Sequence, residues 1–313
     1  MRKKTIIYLS IFLASFIFSK SCFAQEKDAG KGFSLMPFFK EIALDSSQKE
    51  VSFDLEIENK TDQVAVFKLS VLDFGSLNES GGVAFLGSNI NLEKKYSLVS
   101  WVSLEKDALA LNPKEKQTIK VSILNKDSLS PGGHYGAILA KIEEDGSESQ
   151  ESSKVAFDPS FASLMFVRKT GGEVYGFGLR ERDLNGNIFS VPSSAKLRFQ
   201  NSGNVHLVPR GTIKILDPFK REIAKGIINS ESAFMLPETF RVLNVPIEKI
   251  STAFFPGRYE AVFNYRYDGK EEAVSESSFV YIFPPAFILL IALSLLTVGC
   301  VLLKRHKKKK NGK

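Results

Sequence analysis

Between positions 51 and 58 the chain reads Val-Ser-Phe-Asp-Leu-Glu-Ile-Glu, a strict apolar–polar alternation. A period of 2 suits a strand with one buried and one wet face, whereas a helix scatters these apolar residues around its axis. Ile119-Lys-Val121-Ser-Ile123 and Ala195-Lys-Leu197-Arg-Phe199 repeat the pattern. Turn-forming clusters separate the runs: Glu79-Ser-Gly-Gly82, Ser130-Pro-Gly-Gly133, Asn185-Gly186, Asn201-Ser-Gly-Asn204 and Tyr267-Asp-Gly-Lys270. Short strands so spaced predict an all-β body built of immunoglobulin-like β-sandwiches.

The chain also resembles itself. Leu55-Glu-Ile57-Glu-Asn59 aligns with Leu197-Arg-Phe199-Gln-Asn201, each a strand that ends on Asn before a small polar turn. Leu69-Ser-Val71-Leu-Asp73-Phe74 aligns with Ile213-Lys-Ile215-Leu-Asp217-Pro-Phe219. Leu111 precedes Pro131 by the same interval that separates Leu236 from Pro256. The turns Pro131-Gly132-Gly-His-Tyr135 and Pro256-Gly257-Arg-Tyr259 then match, with Tyr135 set against Tyr259 and Ala137 against Ala261. Pro presets φ, Gly admits positive φ, and the tyrosine opens a strand at the edge of the sandwich. Ordered matches of this kind predict a duplicated domain. We place the copies at 25–170 and 171–282, dividing at Thr170-Gly171-Gly172. The acidic, Ser-rich stretch from Glu143 to Ser153 reads as a solvated loop within the first copy.

Both ends read as topology. Met1-Arg2-Lys3-Lys4 and the apolar run to Phe18 have the layout of a secretory signal, with small residues at Cys22 and Ala24 predicting a signal peptide over 1–24. Phe283 to Leu303 contains no charge, and 21 residues make about 31 Å of helix, enough to cross a bilayer. The basic tail 304–313 follows at once, which predicts a single-pass cell-membrane protein with its body outside and its tail in the cytoplasm. The formal charge of +7 comes from these ends. Four basic residues precede Gln25 and seven follow Leu303, leaving a body with 31 Lys and Arg against 35 Asp and Glu. Such a balance argues against a nucleic-acid partner. Cys22 falls in the signal and Cys300 in the span, so neither a disulfide nor a cysteine-based zinc site is expected.

Catalytic patterns are sparse. The three histidines, His134, His206 and His306, have no metal-ligand spacing, and there is no Gly-x-Ser-x-Gly elbow. Gly176-Phe-Gly178 has Glu181 where a dinucleotide loop needs its third glycine. Asp183-Leu-Asn185-Gly186-Asn187 reads as an Asn-Gly hairpin turn in preference to a calcium loop. Trp101 reads as a core residue in preference to an exposed glycan platform. No enzyme activity, cofactor or metal is expected.

Taken together, the stretches Ala43–Asn59 and Leu109–Ile123, the Pro-Gly-Gly-x-Tyr-Gly turn at 131–136, Phe199–Val205 and Pro256-Gly-Arg-Tyr259 resemble the WxL-interacting proteins of Gram-positive cell surfaces. The resemblance extends to the signal, the C-terminal span and the Lys-rich tail. It implies that the first domain binds cell-wall glycan (peptidoglycan) and that the second faces a surface protein partner; it carries over no ligand-contacting residue. The strand–Asn-turn pattern also suits PapD-like sandwiches of periplasmic pilus chaperones, although those lack a C-terminal span. The expected function is a surface tether, the alternative a non-catalytic or chaperone-like subunit of an envelope assembly or sensing complex.

Overall fold

The computed structural model describes residues 32–45, 47–85, 94–143 and 160–310. The expected signal peptide with Cys22, and the acidic stretch after Glu143, lie outside these residues. Among the described residues the body is all-β apart from two short 3-10 turns, with one α-helix at its C-terminal end.

Ten strands form the N-terminal sandwich: β1 (Phe33–Met36), β2 (Phe39–Leu44), β3 (Glu50–Asn59), β4 (Ala65–Ser76), β5 (Val83–Phe85), β6 (Val102–Leu104), β7 (Ala108–Leu111), β8 (Lys116–Leu124), β9 (Gly132–Glu143) and β10 (Ser160–Lys169). One sheet has the order β1-β3-β8-β6, and the other β2-β10-β9-β4-β5 with β7 added on β4. The alternating runs of β3 and β8 turn Leu55, Ile57, Ile119, Val121 and Ile123 inward onto Phe67, Leu69, Ile138 and Met165 of the second sheet. Pairing of β3 with β8, and of β4 with β9 and β9 with β10, is the Greek-key arrangement of immunoglobulin-like sandwiches.

The C-terminal sandwich repeats the plan with β11 (Phe177–Asn185), β12 (Ser194–Asn201), β13 (Arg210–Leu216), β14 (Glu222–Ile228), β15 (Phe240–Pro246), β16 (Glu248–Lys249), β17 (Gly257–Tyr267) and β18 (Lys270–Ile282). Its sheets are β11-β12-β15 and β16-β14-β13-β17-β18, closed over a core of Leu197, Phe199, Ile213, Ile215, Tyr259 and Phe263. Asp183–Asn187 is not a two-residue hairpin: Asn185 pairs with Ser194, and the loop between them is organised by Asn187, whose Oδ1 accepts from Phe189 N at 2.8 Å. The β17–β18 turn at Asp268-Gly269 is tight, joining Tyr267 to Lys270 with Gly269 at φ 81°.

Helix α1 runs from Pro285 to Lys310, two residues later at its start than the uncharged run and on through the basic residues beyond Leu303. Pro285–His306 is long and apolar enough to cross a membrane, and none of its apolar stretch is buried in protein. Cys300 is exposed on it.

Candidate functional site

Asn59 and Asn201 close corresponding turns with one device. Each is fully buried, and each amide donates to the carbonyl four residues ahead, at 2.7 Å to Gln63 and 2.8 Å to Val205. Each side-chain oxygen accepts from the backbone N–H two residues ahead, Thr61 or Gly203, at 3.0 Å. The amide also reaches a carbonyl of the next crossing segment, at 3.1 Å to Leu111 in one copy and to Met235 in the other. The structural counterpart of Leu111 is therefore Met235, one residue before Leu236.

The Pro-Gly turns open β9 and β17, with Gly132 at φ 121° and Gly257 at φ 148°. Pro131 and Pro256 stand just before them. Their tyrosines part company. Tyr259 points into the C-terminal core and donates to Phe255 O at 2.6 Å, a tyrosine corner. In β9 the residues facing the N-terminal core are Ile138 and Ala140, while Tyr135 and Ala137 face the other way. Register explains this: with Leu69 and Ile213 as counterparts, Ala140 opposes the first and Phe263 the second, so Tyr135 stands one residue away from the place of Tyr259. A shift of one residue moves a side chain to the opposite face.

Tyr135 thus lies in a separate buried cluster with Phe74, Tyr96, Ala137 and Phe166, against which Phe234 and Leu236 of the C-terminal sandwich pack. Phe166 and Phe234 stack at 4.6 Å. The Tyr135 hydroxyl is 3.2 Å from His206 Nδ1, and His206 Nε2 is 3.2 Å from Glu41 Oε1. Burial pushes the Tyr135 hydroxyl well above its ordinary pKa, and the hydrogen bond with His206 holds Glu41 low. Tyr135 and Glu41 belong to the N-terminal sandwich and His206 to the C-terminal one, so the trio ties the sandwiches together. Further ties are Gly133 N to Asn204 O at 2.8 Å and a two-point pairing of Arg198 with Glu79 at 2.7 and 2.6 Å, and Asn204 Nδ2 also donates to Gly172 O of the connecting segment at 2.8 Å. Within the segment Thr170–Gly172, Thr170 N donates to Leu44 O at 3.0 Å and Gly172 O accepts from Asn204.

Beside this joint a cleft of about 180 Å³ opens between the sandwiches. Phe74, Val83 and Phe166 line it from one side, and Phe234, Leu236, Phe240 and Arg241 from the other. The Glu79–Gly82 turn reaches across it, and Glu79 O accepts from Val242 N at 2.7 Å on the outer edge of β15. Gly81 sits at φ 91°, where a side chain is strained, and a Cβ there would come within 2.3 Å of the Arg241 guanidinium carbon, which would have to move. Arg241 Nη1 donates to Phe234 O at 2.6 Å, but its buried Nε finds no acceptor among the described residues. Burial draws the Arg241 pKa below its usual value. An aromatic cleft holding a half-buried guanidinium with a donor to spare suits an apolar side chain and, next to it, a carboxylate or carbonyl oxygen.

Trp101 packs partly buried against the N-terminal core, its Nε1 3.4 Å from Ser128 Oγ. Among the described residues no group of three or more His, Cys, Asp or Glu is placed to hold a metal. Sequence reasoning missed the cleft altogether. Its trace was the row Phe234-Met235-Leu236, apolar residues in a connection that would be polar if solvent surrounded it.

No family model matches the chain, and no curated protein does. Solved structures that align with it include the class 5 fimbriae chaperone CfaA, at 10% identity over 81% of this chain and 100% of that one, TM-score 0.41. A chaperone–tip adhesin complex of CFA/I fimbriae biogenesis aligns at 9% identity over 81% and 99%, TM-score 0.42. The Salmonella enterica SafA pilin in complex with the SafB chaperone aligns at 9% over 80% and 96%, TM-score 0.39. These findings overturn the resemblance to the WxL-interacting proteins. The physical reason lies in the motifs themselves: Glu50–Asn59, Lys116–Leu124 and the Pro-Gly turns are strands and turns, patterns that an immunoglobulin-like sandwich imposes whatever its family.

Proposed function

We propose that this chain is a membrane-anchored, non-catalytic binding component of an envelope assembly, which holds an extended segment of a protein partner in the cleft between its two sandwiches. The body lies outside the membrane and the basic end of α1 in the cytoplasm, in keeping with the positive-inside rule. The observation that carries this reading is Arg241, which lines a largely apolar cleft and whose buried Nε finds no acceptor among the described residues. A buried donor left unpaired costs about 1–3 kcal/mol, which a partner's oxygen would recover on binding. Neighbouring backbone on the edge of β15 can extend such a contact by strand addition. Trp101 lends no support to the glycan tether, since its ring packs against the core.

Display selection on the full chain in detergent tests the proposal. Selected peptides should pair an apolar residue with an acidic one, and Arg241→Ala should lower their affinity roughly tenfold or more, the scale of one charge-assisted hydrogen bond. Peptides that bind Arg241→Ala equally well would contradict it.

A further inference from the structure

The end of the C-terminal sandwich next to α1 carries an uncovered apolar collar. Ile188 and Phe189 in the β11–β12 loop, Phe219 in the β13–β14 turn, Ile250, Phe254 and Phe255 before β17, and Phe283 after β18 are each 38–61% exposed. They come from four separate connections, yet the fold gathers them at one end. Phe254 packs edge-on against Phe255 at 5.1 Å, and Phe255 against Phe219 at 5.0 Å. Phe287, in the first turn of α1, touches both Phe254 and Phe255, at 6.0 and 6.4 Å between ring centres. Phe283 N donates to Ile188 O at 2.6 Å, fixing the chain's exit from β18 against the first loop. A crevice of about 400 Å³ between Phe189, Ile250 and Pro284–Ala286 continues the same surface onto the helix. Just above, Phe279 and Tyr281 project from the outer strand β18 at 47% and 61% exposure, with Arg258 held 4.3 Å over the Phe279 ring.

Exposed apolar surface of this extent marks an interaction site. Its occupant follows from continuity, because the collar merges with the first turn of a helix that is apolar on every side. Aromatic side chains are enriched where a membrane protein crosses the boundary between headgroups and acyl chains. We propose that this collar is a lipid-docking face, seated in the exterior leaflet of the bilayer that α1 crosses, about 5–10 Å into the headgroup–acyl boundary. Docking would hold the C-terminal sandwich directly on the membrane and fix the direction in which the cleft faces. The inference rests on the reading of α1 as a spanning helix.

Depth-dependent fluorescence quenching tests it on the full chain in phosphatidylcholine vesicles. Trp101, the one native tryptophan, is first replaced (Trp101→Phe). Single tryptophans are then introduced by Phe254→Trp or Phe219→Trp in the collar, Leu295→Trp in the helix, and Val64→Trp near the Glu143 end of β9, remote from the joint. Lipids brominated near the headgroup should quench the two collar variants roughly twofold or more, and lipids brominated near the chain ends should quench them less. The Leu295→Trp variant should show the reverse order, and Val64→Trp neither. Collar emission as insensitive to bromine as that of Val64→Trp, while Leu295→Trp is quenched, would overturn docking and leave the span intact. Blue-shifted but unquenched collar emission would mean that protein, such as a second copy, covers the face, and would also overturn it. Loss of quenching at Leu295→Trp would bring down the spanning reading and the docking face with it.

Discussion

Asn201 shows how much of this architecture rests on single polar side chains. Its amide satisfies Val205 O and Met235 O inside the core, and its oxygen takes the Gly203 N–H. Asn201→Ala should destabilise the body by roughly 2–4 kcal/mol in denaturant unfolding, since each buried group left unpaired costs about 1–3 kcal/mol. A loss under about 0.5 kcal/mol, no more than an ordinary surface substitution, would contradict this role. Both asparagines were visible in the sequence as strand-ending residues. The partner carbonyls at Leu111 and Met235 were not, because a sequence repeat shows that two turns correspond without showing what crosses behind them. His134 gives a second residue-scale expectation. Burial lowers its pKa from 6.5, outweighing the carbonyls of Ser130 and Ser97 that favour the charged ring. The unfolded chain then binds the proton more readily than the folded one, so stability is full above about pH 6.5 and falls as pH drops toward the depressed folded value. The denaturation midpoint should decline between about pH 7 and pH 5, and less steeply in His134→Phe. Equal slopes would place the proton uptake elsewhere.

At the scale of elements, strands covered on one face were legible and strands covered on both were not. β3, β8 and β12 alternate cleanly, because one side of each faces solvent. In β9 every residue from Gly132 to Ala140 is buried, one face by the N-terminal core and the other by the joint with the C-terminal sandwich. That strand carries no period, and the similarity of two tyrosines drew the turns into an alignment one residue out of register. The glycines that open β9 and β17 invite a matched pair of substitutions. Gly257→Val forces a branched side chain to φ 148° and brings its Cβ within 3.2 Å of Pro218, for an expected cost of roughly 1–3 kcal/mol confined to the C-terminal sandwich. Gly132→Val meets Asn204 at 3.2 Å, across the joint, and should also speed hydrogen exchange at the Gly133 amide that Asn204 O holds. Unchanged exchange there would show that the joint does not depend on this turn.

Over the whole molecule, the internal repeat reads as two beads on a string, and the structure turns it into a pair of sandwiches bound through a third cluster. Composition could not reveal this. Phe166 and Phe234 count as core residues in any sequence reading, and only the tertiary arrangement places both between the sandwiches. The cleft follows from that joint, since Arg241 and Phe240 belong to one sandwich and Phe74 and Phe166 to the other. Site-specific photo-cross-linking in native membranes is the most direct measurement of what the cleft does. A photoreactive phenylalanine analogue replaces Phe240 at the cleft wall or, as a control, Ile227, exposed on β14 of the same sandwich. The position 240 probe should give one discrete protein adduct, whose cross-linked peptide is extended and acidic beside an apolar residue, and Arg241→Ala should abolish it. Adducts equally abundant from position 227, or unchanged in Arg241→Ala, would contradict the proposal that the cleft receives a protein segment.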